Sequence, residues 1–166
     1  MIELLKEKLS FQITSPAFPH ESEIPTRYTC EGANISPPLC WSGIPTRARS
    51  LILIMDDPDA PDPEAPQLTW THWIVFDIPP TTKGFEEGII EIPNGSKVGE
   101  NDWKKKSYGG PCPPIGRHRY YFKLYALDQK IGHLKPKTKL EFEKAIEGKV
   151  IAKAELIGTY KMKLKR

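Results

Sequence analysis

Residues 51–73 read LILIMDDPDAPDPEAPQLTWTHW. Ser50–Asp56 is a short run rich in Leu and Ile with no helix caps, so it reads as a buried strand. Five acidic residues and four prolines follow within 56–66, and then a histidine, His72, stands between Trp70 and Trp73. Asp and Pro are ordinary turn formers, so solvated turns are the plain reading of the stretch taken alone. A solvent loop needs no such stiffness, however, and prolines that brace a loop reduce the entropy lost when it is ordered around a ligand.

The segments around this stretch also read mostly as strands. His72–Ile78 (HWIVFDI) is a second apolar run, stopped by Pro79 and Pro80. In Arg119–Leu127 (RYYFKLYAL) the alternation places Tyr120, Phe122, Leu124 and Ala126 on one face. Val150–Lys161 makes a long last strand, with an interruption or bulge expected at Gly158. One helix is expected after Thr138, because Thr138 and Glu141 form a capping box. Phe142, Ala145 and Ile146 then share a face, and Gly148 supplies the stop. Ile2–Leu9 is expected to add a short helical turn. Two long irregular stretches remain, Asp57–Thr71 and Asn94–Gly116, and such loops in a compact domain are usually functional or disordered. The second contains Trp, Tyr, Gly and Pro, which argues for order. The expectation is a mainly β chain forming one domain over residues 1–166.

The totals narrow the function. A chain of 166 residues suits one domain, since about 150 residues already bury roughly two-thirds of the unfolded surface. A net charge of +3, with Lys104-Lys105-Lys106 as the one compact basic run, gives no case for nucleic acid. No apolar run approaches the ~20 residues of a membrane helix, and charges interrupt the opening MIELLKEKLS, so a cytoplasmic protein with no membrane insertion is expected. Cys30, Cys40 and Cys112 show no CxxC pairing, which weighs against a zinc knuckle. Cys30 and Cys40 can form a disulfide only if their backbones lie close.

Two of the four histidines, His72 and His118, sit where a long loop meets a strand. If neighbouring strands end together, Asp57, Asp59, His72 and His118 gather at one rim, the usual place for groups presented by a rigid scaffold. A lone histidine there would more often be a satisfied structural residue. Two of them beside two proline-locked aspartates point to a pocket.

DDPDAP, TWTHW and GPCPPIGRHRYYF resemble the signature segments of the phosphatidylethanolamine-binding protein family, also called the Raf kinase inhibitor-like proteins. ISPPLCW, IPTRARSLILIMDDPDAP and the ending AELIGTYK extend the resemblance from about Phe18 to Tyr160, toward the short bacterial and archaeal branch. The resemblance implies a large antiparallel sheet packed against a smaller one, with one or two short helices. It also implies an anion pocket built from Asp57, Asp59, Pro61, Trp70, His72, Gly110, Pro111, His118 and Tyr120. Neither cofactor nor metal is implied. The implied partners are a small anionic or phosphorylated ligand, a kinase or a protease, and a second copy in a homodimer. Eukaryotic members carry an extra C-terminal helix; this chain ends soon after its last strand, so long-ligand binding transfers less safely.

In such a pocket, imidazolium groups and the backbone N–H groups of Gly109-Gly110 would donate to the anion. The aspartates would orient the histidines or hold the cationic end of a zwitterion such as phosphoethanolamine. Three rivals stand beside this reading. One is a hydrolase using Cys112, His118 and Asp57, although Pro111 and Pro113 flank the cysteine and make a small packed residue its plainer role. Another is zinc held by the two histidines and two aspartates, with no matching ligand spacing. The third is a serine-protease inhibitor acting through an exposed loop, Asn94–Tyr108, whose plainer role is to cover the pocket.

Overall fold

The computed structural model describes residues 10–164, so the expected helical turn at Ile2–Leu9 lies outside the described residues. Its strands, in chain order, are β1 (Gln12–Thr14), β2 (Ser22–Glu23), β3 (Leu39–Ser42), β4 (Ser50–Ala60), β5 (Leu68–Ile78), β6 (Gly84–Phe85), β7 (Lys97–Val98), β8 (Arg117–Leu127) and β9 (Val150–Lys161). The helix α1 (Lys139–Ile146) lies between β8 and β9. A large sheet has the order β2-β9-β8-β4-β5-β7, and a small one β1-β3-β6. Both are antiparallel except where β2 joins β9 in parallel.

The position of β4 explains its uninterrupted apolar run. Leu51, Leu53 and Met55 face the small sheet and pack with Ile13, Trp41 and Phe85. Ile52 and Ile54 face the other way and pack with Ile74, Phe76 and the α1 residues Phe142, Ala145 and Ile146. A central strand covered on both faces has no solvent side on which a polar residue would be tolerated. The helix is capped as the sequence predicts: the Thr138 hydroxyl oxygen accepts from Glu141 N–H at 3.1 Å, and Gly148 follows with φ +76°.

Two local expectations are corrected, and the open question of the disulfide is answered. The stretch 57–71 is not one irregular loop, because β4 runs on to Ala60 and β5 starts at Leu68, leaving a turn of only seven residues, 61–67. Short-range pairing wins over turn propensity here: Ala60 still pairs with Leu68. β9 is unbroken at Gly158, which pairs in register with Tyr120; the irregularity falls at the other end, between Ala126 and Leu127. Glycine serves at 158 because a Cβ would lie 2.4 Å from Ile24 Cγ1 and 2.8 Å from a Phe18 ring carbon. The disulfide joins Cys30 to Cys112, not to Cys40, which is a free, exposed thiol. Among the described residues no helix is long and apolar enough to cross a membrane.

Candidate functional site

The polar end of β4 continues the alternation of Leu51, Leu53 and Met55, so Asp57 arrives on the face of the sheet that carries His118 and Tyr120 on β8. β5 reaches the same face by a different device. Met55 pairs with Trp73 but Asp56 pairs with Thr71, so His72 is an extra residue in a β-bulge. Strict alternation would send His72 to the α1 side with Ile74. The bulge turns it, with Trp70, back toward Tyr120 and Asp57.

These elements enclose a cavity of about 320 Å³, at the small end of ligand pockets. Six of the nine expected residues line it: Asp57, Pro61, Trp70, His72, His118 and Tyr120. Asp59, Gly110 and Pro111 are placed nearby but do not line it. Asp59 is taken by Arg119, whose backbone N–H and guanidinium donate to both its oxygens at 2.8–3.0 Å and hold the carboxyl below its ordinary range. Gly110 packs where a Cβ would sit 2.2 Å from Tyr28 O. Pro111 is buried, and its carbonyl accepts from Cys30 N–H. Residues missed in the sequence are Ala60, Leu68, Trp103, Pro113 and Pro114, and Cys112, weighed there only as a nucleophile, lines the cavity as well. A polar-site search passes over apolar residues, and the Trp103 ring reaches His72 and Trp70 only through tertiary packing, at 5.0 and 5.5 Å.

The two histidines differ from expectation and from each other. His118 is fully buried, with Nδ1 2.6 Å from Asp57 Oδ2. Its Nε2 faces two carbonyl oxygens, Ile115 O at 2.8 Å and Pro61 O at 3.1 Å, so this nitrogen must carry hydrogen. Both ring nitrogens are therefore engaged by protein. Burial raises the Asp57 carboxyl pKa, against the opposing hydrogen bonds from His118 and from Asp59 N–H. The short contact commits Asp57 Oδ2 and His118 Nδ1 to each other. His72 Nδ1 donates to Gly109 O at 2.6 Å. Burial nonetheless pushes the ring down to about 4, outweighing the backbone hydrogen bonds to Gly109 and Gly110 that favour protonation. At neutral pH His72 is an uncharged ring whose Nε2 is an acceptor.

The glycine amides are also spoken for, since Gly109 N–H donates to His72 O and Gly110 N–H to Asn34 Oδ1. They do not form the expected anion cradle. Trp70 and Tyr120 both line the cavity, and their Nε1 and Oη atoms are buried with no hydrogen-bond partner.

The Cys112 nucleophile is overturned, because its sulfur is bonded to Cys30 and His118 has no nitrogen free to act as its base. Among the described residues no group of three or more His, Cys, Asp or Glu side chains could hold a metal. Within Asn94–Tyr108, Asn101 is buried and clamps Trp103 N–H and Lys105 N–H, so that Trp103 closes one side of the cavity.

A model of the phosphatidylethanolamine-binding protein family matches residues 14–161. A UPF0098 protein of Methanothermobacter thermautotrophicus is 49% identical over 148 residues, covering 87% of this chain and 95% of that protein. One of Aquifex aeolicus is 43% identical over 155 residues, covering 90% and 88%. The crystal structure of a phosphatidylethanolamine-binding protein homolog from Chlamydia trachomatis superposes with a TM-score of 0.83 at 41% identity, covering 92% of this chain and 98% of that one. E. coli YbcL, described as a member of the mammalian family, gives 0.81 at 32% identity, covering 92% and 99%. With the family pattern running from the end of β1 through β9 and the same fold in both solved relatives, the chain belongs to the phosphatidylethanolamine-binding protein family.

Proposed function

We propose that this chain is a non-enzymatic cytoplasmic binding protein whose cleft takes a small phosphate or phosphate-like group in its monoanionic form. The observation that carries the reading is the pair of buried donors without a protein partner, Trp70 Nε1 and Tyr120 Oη, in one cavity with the neutral acceptor His72. Leaving a buried donor unmade costs about 1–3 kcal/mol, so a ligand oxygen that satisfies both is favoured. A monoanion also offers a P–OH group that donates to His72 Nε2. Both Asp57 oxygens are engaged by His118 and Asp59 N–H, so the carboxyl does not stand bare toward the anion. Trp70 and Trp103 stand edge to face and supply aromatic surface for the ammonium of a zwitterion such as phosphoethanolamine. The family resemblance adds a protein partner, a kinase or a protease, and a homodimer to the reading.

Isothermal titration with phosphate and with phosphoethanolamine tests it, using wild type, Trp70→Phe and His72→Gln. Each substitution is expected to weaken binding about ten-fold, the equivalent of roughly 1.4 kcal/mol. Wild-type binding should take up a proton, seen as a dependence of the heat on buffer ionisation, and His72→Gln should abolish that dependence. Affinities equal in all three proteins would remove the assignment.

A further inference from the structure

The segment Cys112-Pro113-Pro114 belongs to two cavities at once. It walls the cleft described above, and with Met162 and Leu164 it lines a second cavity of about 330 Å³. Pro113 and Pro114 have no N–H to donate, so this partition leans on its flanks. On one side Pro111 O accepts from Cys30 N–H at 3.1 Å, and on the other Ile115 O accepts from His118 Nε2. The covalent tie between them is the disulfide to Cys30, 82 residues away in sequence. Both cysteines are half-buried, and Cys112 borders open space on either side of the partition.

From this placement we propose that the Cys30–Cys112 disulfide is a thiol-exchange site, attacked at Cys112 by a small thiol entering either cavity, and that opening it releases the wall of the cleft. The attacking thiolate bonds to Cys112 Sγ, the sulfur–sulfur bond breaks, and Cys30 leaves with the electron pair as a thiolate. Cys112 is left as a mixed disulfide. A second thiolate then frees Cys112 and departs with the first as a low-molecular-weight disulfide, so two thiols supply the two electrons. Cys30 Sγ lies 3.9 Å from Met162 Sδ, so the leaving sulfur stays at the mouth of the second cavity. In a compartment rich in small thiols, the partition between the two cavities becomes a clasp set by the thiol pool. What opening does to ligand occupancy rests on the binding reading above; the release of the wall does not, and it is tested without ligand.

The native protein is incubated with cysteamine, quenched in acid, labelled with N-ethylmaleimide and mapped by peptide mass spectrometry, with hydrogen exchange followed in parallel. The expected result is a cysteamine adduct on Cys112 at least ten-fold above that on Cys30, with Cys30 carrying the maleimide. The amides of Cys30, Gly109 and Gly110, which donate to Pro111 O, His72 O and Asn34 Oδ1, should lose protection at least ten-fold while those of β4 and β8 keep theirs. A Cys30→Ser, Cys112→Ser double variant should show the same local loss without any thiol. Adducts chiefly on Cys30, exchange that begins only when β8 amides also open, or an opened disulfide with unchanged protection at Cys30, Gly109 and Gly110 would each overturn the proposal.

Discussion

Asp57 Oδ2 and His118 Nδ1 lie 2.6 Å apart across adjacent strands, and neither side chain has more than a few per cent of its surface exposed. Other partners occupy Asp57 Oδ1, through Asp59 N–H, and His118 Nε2, through two carbonyls. The pair is thus a structural unit that shapes the cavity, and in the binding function proposed above the ligand contacts fall to His72, Trp70 and Tyr120. Removing one partner leaves the other buried without its counterpart, at a cost of about 3–5 kcal/mol. Asp57→Ala and His118→Ala should each lose that much in urea denaturation, and the double variant should lose much less than the sum. Additive losses near 1 kcal/mol would show that the contact is not a coupled pair.

This division of labour marks the limit of what the sequence revealed. The buried run Leu51–Met55, the alternation of Tyr120 to Ala126 and the Thr138 cap are local patterns, and each appears in the structure where its period places it. Convergence of Asp57 and His118 also follows from alternation, because both extend a face already marked by apolar neighbours. The direction of His72 does not follow, since a bulge opposite Met55 and Asp56 reverses the parity of β5. A bulge is a relation between two strands and leaves no mark in one. The charge states were equally hidden: that His72 is neutral depends on its depth, and the engagement of Gly110 N–H depends on Asn34, 76 residues away. The Cys30–Cys112 pairing is likewise a matter of approach between distant loops.

Burial of His72 makes stability depend on pH with a definite sign. Its folded-state value of about 4 lies below the ordinary 6.5, so the unfolded chain binds the extra proton between these values. The contribution is fully present above about pH 6.5 and is lost as pH falls toward 4, amounting to about 3 kcal/mol. Asp57, raised by burial, acts in the opposite sense in acid, so the comparison must be made against a variant. His72→Gln should flatten the pH 4–6.5 slope of unfolding free energy relative to wild type. Parallel curves for the two proteins across that window would contradict a neutral buried ring.

Close packing at Gly158 gives a prediction about the fold independent of the cleft. A methyl group at this position meets Ile24 Cγ1 and the Phe18 ring, both buried, at distances no real Cβ adopts. Gly158→Ala should therefore destabilise by about 1–3 kcal/mol through overpacking, although alanine is the better strand residue on entropy alone. Thermal melts of this variant and of Thr138→Ala, expected to lose about 1 kcal/mol with its cap, provide the check. A Gly158→Ala protein as stable as wild type would mean that β2 and the segment before it are free to move away from β9.

Tyr120 separates the needs of the fold from those of binding. Its ring is wholly buried and lies 5.2 Å from the His72 ring, so the apolar part is core. Its hydroxyl is buried without a partner and, by the same burial, holds its proton well above the usual phenol range. A hydroxyl that makes no bond in the protein costs desolvation and returns nothing until an acceptor arrives. Tyr120→Phe removes that cost while keeping the ring, and should leave the protein as stable as wild type or more stable by about 1 kcal/mol. The same change removes a charge-assisted donor to a bound anion, so phosphate affinity should fall about ten-fold or more. Denaturation and titration on one preparation thus give opposite signs if the hydroxyl is kept for a ligand. If stability and affinity fall together, Tyr120 is a structural residue and the donor pair with Trp70 is not the binding element.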